Sequence, residues 1–277
     1  VEELDVTELL AFMRGLSSTP EFKGVPVTFN SVMLKLIERG LAKSPEMNAH
    51  FSYNKHTSVG KMVLCEDVNI AAPMRSRDGR MITPVLKRIN QKTLRQVCVE
   101  MADLKRRVQN TDVDCLLLDA ALQDTWSRLA KGQVLLILRR LFANFVGPSR
   151  LQTPTREQKL AHAKIPAKDR VTPEELVSGT TLVSNVGSSA PDLRFHVSIL
   201  EIIAPHTSAI MLTPVRKQPL VVTKTDGTHE VAIREVMPMT VCFDHRAMDF
   251  EHITGFLREV ARLCSAPKEL LGEILRV

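Results

Sequence analysis

The stretch that most constrains the fold runs from Ser208 to Asp244. Ser208 to Val215, Leu220 to Thr223, Val231 to Val236 and Met239 to Asp244 read as strands, alternating or apolar and separated by turn residues. Upstream, helical patterns alternate with further strand patterns. Elements in that order predict an α/β chain with a mixed sheet. The last strand delivers His245 to its end. Asp249 follows four residues later and opens a helical pattern carrying Ile253, Phe256, Leu257, Val260 and Leu263. Imidazole titrates near neutrality, so a strand-end histidine in a cleft suits general-base chemistry.

The upstream elements are legible in the same way. Asp5 to Met13 reads as a short strand entering a helix, with Asp5 or Thr7 as cap. Thr28 to Ala42 spaces Phe29, Val32, Met33, Leu36, Ile37 and Leu41 as one buried helical face. Lys61 to Ala72 and Met81 to Leu86 read as strands joined by the turn Arg77-Asp78-Gly79. Thr93 to Val108 reads as a helix, with Lys105-Arg106-Arg107 at the negative end of its dipole. Leu116 to Leu129 and Val134 to Val146 are strongly helical, and Pro148 ends them. That pair reads as a helical hairpin packed on the domain, a lid, an oligomer contact or an interfacial membrane helix. Thr172 with Glu175 in the box position predicts a capped turn, and Gly179 to Val186 a strand ending in a glycine turn.

Composition narrows the function classes. The longest uninterrupted apolar run, Val134 to Leu138, is too short to span a bilayer, and no basic start precedes an apolar signal core. A soluble protein is the expectation. The five cysteines are scattered, with no C-x-x-C pair and no Cys/His cluster, so no metal site is expected. Such usage suits a reducing compartment, the cytoplasm or the mitochondrial matrix. Cys242 shares a strand face with Asp244, opposite His245, and reads as a packing residue. The net charge of +6 is spread out, and one Trp and one Tyr offer little stacking surface, so nucleic acid is not an expected partner. The excess reads as mild attraction for an anionic ligand or as a solvated basic surface.

The run Asp244-His245-Arg246-Ala247-Met248-Asp249 resembles the Asp-His-Arg-x-x-Asp-Gly signature of dihydrolipoamide acyltransferase cores of 2-oxo acid dehydrogenase complexes. Those cores share their fold with chloramphenicol acetyltransferase. Three further stretches resemble the family in the same order. They are Val27 to Ala49 with its Pro-x-x-Asn-Ala ending, Val68 to Leu94 with its Asp-Gly turn, and Gly179 to Gly187, "GTTLVSNVG". The resemblance implies an α/β, chloramphenicol acetyltransferase-like mixed sheet flanked by helices. Residues 1–277 would form a single acyltransferase catalytic domain, with a helical insertion at about 113–170. Phe250 stands where the signature has glycine, which predicts a local rearrangement to house the ring.

The resemblance also implies roles. His245 would be the general base, Ser184 the oxyanion donor, and Asp249 the residue that orients the site. Asn185, Arg246 and His206 would contact substrate. From the residues alone, His245 is equally a satisfied polar group at a strand end, and Ser184 a hydroxyl in a turn. Likewise Asp249 is a helix cap, Arg246 the partner of a carboxylate, and Asn185 part of the turn before Gly187. The other histidines, His50 among them, read as surface or packing residues. The implied reaction moves an acyl group between coenzyme A and a second, lipoyl-like thiol, carried on another chain or on an N-terminal region missing here. A homotrimer or larger trimer-based assembly is implied, with lipoyl domains and 2-oxo acid dehydrogenase subunits as partners. Two other readings stand beside it: a stand-alone acyltransferase acting on a small molecule or carrier protein, and a non-catalytic oligomeric scaffold on the same fold.

Overall fold

The computed structural model describes residues 1–135, 137–139, 153–224 and 226–272. By contacts the chain forms two compact units, Val1–Pro73 with Val85–Ala102 and Gly179–Val277, and Met74–Pro84 with Asp103–Ser178.

The first unit is organised by one long strand, β11 (His229–Phe243). Two strands were expected here, broken near Pro238. The strand instead runs through the proline because its partner changes at that point. Up to Val236 it pairs with β10 (Arg216–Thr223), and from Met239 with β9 (Ser208–Leu212). Where one partner leaves and the next begins, no ladder N–H is needed, so proline is tolerated. The Pro238 carbonyl accepts from Thr213 N at 3.1 Å and Thr213 Oγ1 at 2.8 Å. On its other edge β11 pairs with β1 (Glu2–Asp5). The sheet continues through β8 (Thr181–Asn185), β4 (Ile70–Ala71) and β7 (Val85–Leu86) in the order β1-β11-β9-β8-β4-β7. β8 is parallel to β9 and to β4, and the other pairs are antiparallel, so the sheet is mixed as expected.

The expected strand from Lys61 to Ala72 is two elements. β3 (Val59–Leu64) ends early and pairs with β2 (Ala49–Asn54), a strand that the sequence reading missed. Asn48 holds the break, its Nδ2 donating to the carbonyls of Cys65 at 2.8 Å and Asp67 at 3.1 Å. Every residue of β3 is exposed, so no alternation of buried and exposed residues marks that strand.

Helix α2 (Phe29–Leu41) starts at Thr28, whose Oγ1 accepts from Ser31 N at 3.2 Å. Ser31 to Leu41 are all buried, including Lys35 and Glu38, whose Nζ and Oε2 lie 2.7 Å apart. The last helix, α6 (Phe250–Ser265), packs on α2 with Ile253, Phe256 and Val260 buried. Two glycines let these helices approach. A Cβ on Gly40 would lie 2.7 Å from the Phe256 ring, and one on Gly255 2.5 Å from the Lys43 carbonyl. At the first helix, α1 (Thr7–Leu16), Asp5 Oδ1 accepts from Thr7 N at 3.1 Å and Thr7 Oγ1 at 2.6 Å.

The second unit carries a small hairpin, β5 (Met74–Arg75) with β6 (Met81–Ile82), around Gly79 at φ +85°. It also holds α4 (Val113–Ala130), capped by Asp112, and α5 (Arg156–Lys164), capped by Thr155. α3 (Leu94–Gln109) begins in the first unit and ends in the second. Within the second unit Arg107 Nη1 meets both Glu175 oxygens at 2.6 and 2.7 Å, and Arg80 reaches Asp114 at 2.6 Å. Leu122, Trp126 and Leu129 of α4 are exposed. The helix expected from Val134 to Val146 lies largely outside the described residues. All five cysteines are free thiols. Among the described residues, no helix is long and apolar enough to cross a membrane.

Candidate active site

The segment after β11 is pinned at both ends. Asp244 N donates to the Thr207 carbonyl at 2.8 Å, and Ala247 N and Met248 N donate back to the Asp244 carbonyl at 2.9 and 3.1 Å. Met248 is buried. Between these pins His245 projects outward, its side chain 76% exposed. Its Nδ1 lies 3.2 Å from Asp249 Oδ1, and its ring leans on Phe243 at 5.7 Å between centroids. A carboxylate only accepts, so in a neutral ring Nδ1 carries the proton and Nε2 keeps a free lone pair. Asp249 occupies the N-cap position of α6, as expected. Its N–H donates to His252 Nδ1 at 3.1 Å.

Phe250 needs no special housing. It takes the first position of α6 and the residue is 61% exposed, so it is carried at the surface of the chain rather than packed into the core.

Arg246 folds back on Asp244, with Nε to Oδ1 at 3.0 Å and Nη2 to Oδ2 at 2.7 Å. This pairing holds the Asp244 carboxyl below its ordinary range. The guanidinium also lies 5.4 Å from the centroid of Phe51 and 5.9 Å from that of Tyr53, within cation–π range. The sequence reading missed both aromatics. Their alternation on β2 was the available signal, hidden because the ribbon itself went unrecognised.

Ser184 sits half-buried on β8, and none of the described groups bonds its hydroxyl. The register puts Ser184 opposite Met211, and Met211 opposite Thr240. His245 lies five residues beyond Thr240, past the end of the strand. Two strand spacings across and five residues along separate the two by roughly 15–20 Å. Within one chain, Ser184 and His245 are not brought together.

Asn185 and His206 are bonded internally. Asn185 Nδ2 donates to Asn30 Oδ1, and its Oδ1 accepts from Ser188 N at 3.2 Å, which builds the turn. Gly187 closes that turn because a Cβ there would lie 2.7 Å from the backbone of Thr213 and Pro214. His206 Nε2 and His50 Nε2 both lie 2.9 Å from the Gly179 carbonyl oxygen. A carbonyl only accepts, so both rings carry a proton on Nε2. Among the described residues His206 Nδ1 is then a buried acceptor without a partner. Burial, with a smaller contribution from His50, pushes the His206 imidazole below its usual range. His206, read as a substrate contact, is placed here as a pin between β2 and the entry to β8.

The family model for the 2-oxoacid dehydrogenases acyltransferase (catalytic domain) matches residues 1–115 and 156–272, and the chain belongs to that family. Residues 116–155 fall outside the match. A curated relative, the dihydrolipoyllysine-residue acetyltransferase component of the pyruvate dehydrogenase complex of Azotobacter vinelandii, is 28% identical over 109 residues, 39% of this chain. That alignment spans only 16% of the relative's length. The solved cubic core of the pyruvate dehydrogenase multienzyme complex superposes with a TM-score of 0.62 at 17% identity, over 98% of this chain and 82% of that one. A second solved structure has the same TM-score, identity and coverage. It concerns the roles of a serine, a histidine and an asparagine in the catalytic mechanism of Azotobacter vinelandii dihydrolipoamide acetyltransferase. At such identity the likeness establishes the fold.

Proposed function

We propose that the protein moves an acyl group between coenzyme A and a lipoyl-type thiol, at a site assembled from two copies of the chain. The observation that carries this reading is the placement of His245. It is an exposed imidazole oriented by Asp249, with a free lone pair on Nε2, at the opposite end of the sheet from the unbonded hydroxyl of Ser184. Family membership supports acyl transfer as the chemistry. In the Azotobacter vinelandii enzyme the histidine and asparagine under study stand four positions apart, the spacing of His245 and Asp249.

In this mechanism His245 Nε2 takes the proton of the acceptor thiol. The thiolate attacks the thioester carbonyl, and the resulting oxyanion accepts a hydrogen bond from Ser184 of a neighbouring copy. Collapse expels the coenzyme A thiolate, which recovers the proton from His245. No covalent enzyme intermediate is needed. Asp249 stabilises the imidazolium that forms in between. The exposed apolar face of β10 and β11, with Val221, Val231 and Ile233 each at least 70% exposed, fits burial against another subunit. A trimer, alone or within a larger cage, is the assembly proposed. The lipoyl group would arrive on a lipoyl domain of the same complex.

The test is acyl transfer from acetyl-CoA to dihydrolipoamide. Wild-type protein should turn over, and His245→Ala should lose about 100- to 10,000-fold while keeping its fold. Absence of wild-type turnover with acyl-CoA donors overturns the reading. A His245→Ala variant keeping half the rate removes His245 as base.

A further inference from the structure

The ribbon β2–β3 is a two-stranded sheet on its own, and such a ribbon is marginally stable in isolation. β3 is exposed throughout, so core burial does not explain its presence. One face of β2, however, carries Phe51 and Tyr53 directly against Arg246, the residue next to His245.

We infer that Phe51 and Tyr53 are positioning residues for the catalytic base, acting through Arg246; this rests on the reading of His245 as that base. Gly60 on β3 stands opposite Tyr53, and a Cβ on it would lie 2.9 Å from Cε2 and Cζ of Phe51. The glycine therefore makes the space in which the Phe51 ring lies. The ring supports the Arg246 guanidinium, which grips both oxygens of Asp244. Without such support, an arginine whose side chain is 63% exposed would hold an ion pair only weakly. The shelf and the loop also hang on one backbone segment. Phe51 N donates to the Pro205 carbonyl at 2.7 Å, and Asp244 N to the Thr207 carbonyl at 2.8 Å. Thr207 Oγ1 in turn donates to the Glu46 and Ala49 carbonyls at 2.7 and 3.3 Å, at the root of β2. The closed path Phe51–Arg246–Asp244–Thr207–Ala49 holds the residues on either side of His245, whose Nδ1 lies 3.2 Å from Asp249.

The experiment is a double-mutant cycle on the acetyl-CoA to dihydrolipoamide reaction. Phe51→Leu should lower kcat about 10- to 100-fold, the scale expected when a reacting group is displaced by about 1 Å. KM for either substrate should stay within about twofold, and Phe51→Tyr should restore most of the rate. In the His245→Ala background, Phe51→Leu should cost nothing further, because the base it positions is gone. Tyr53→Leu, at an exposed position, should show the same non-additivity in a variant whose folding is not at risk. Equal losses in both backgrounds, or a kcat within twofold of wild type for both variants, overturn the inference and leave His245 untouched. Failure of His245 as base is seen separately, in its own alanine variant.

Discussion

At the scale of single residues, Lys35 and Glu38 are the most exacting side chains in the first unit. Both are nearly inaccessible on α2, 2.7 Å apart, and Lys35 Nζ also donates to the Ile89 carbonyl at 3.2 Å. Burial pushes the Lys35 ammonium down and the Glu38 carboxyl up, each toward its neutral form, while the partner charge opposes both shifts. Removing one partner leaves a buried charge alone. Glu38→Ala should therefore destabilise by about 3–5 kcal/mol, whereas Lys35→Met with Glu38→Leu should cost much less. Urea unfolding of the two variants beside wild type decides the matter, and equal losses in the single and the double variant would exclude mutual compensation. Periodicity placed these residues on a helix. It gave no sign that this helix is buried on all sides, because burial of Lys35 depends on what packs over it.

At the scale of elements, His206 and His50 converge on one carbonyl and so join β2, the entry to β8 and the approach to β9. The folded-state value of His206 is depressed by burial. Between that value and the unfolded value near about 6.5, the unfolded chain binds a proton that the native state does not. Stability is thus full above about pH 6.5 and falls as pH drops toward the folded value. His162, buried in the second unit and facing Arg170, is depressed for the same first cause and adds to the slope. Unfolding free energy measured from pH 7.5 to 5 should decline, and His206→Asn should make the decline shallower. An unchanged slope in that variant would show that His206 is not the group responsible. His50 had read as a surface or packing residue, since nothing in its local sequence points to Gly179, 129 positions away.

At the scale of the whole molecule, Ser184 and His245 lie too far apart in one chain to share an intermediate. The proposed site therefore needs a second copy. Ser184→Ala should lower turnover about 100- to 1,000-fold, as loss of an oxyanion donor does. If the two residues meet across a subunit boundary, refolding Ser184→Ala together with His245→Ala should restore activity at sites combining one intact residue from each. Confirmed subunit exchange with no recovery would place them in separate sites and end the two-copy mechanism.

The sequence by itself determined most of the element types, the mixed α/β class and the family. Those follow from periodicity, caps and short motifs, which act over a few residues. It also marked His245, Asp249 and Ser184, because their signatures are local. Tertiary structure alone decided that β11 is one strand through Pro238, since only the change of partner from β10 to β9 spares the missing N–H. It decided that Phe250 turns to solvent. It brought Phe51 and Tyr53 beneath Arg246, a contact between residues nearly 200 positions apart that no local pattern encodes. It also set Ser184 and His245 at opposite ends of a sheet, because register between strands depends on pairing partners that no single segment contains.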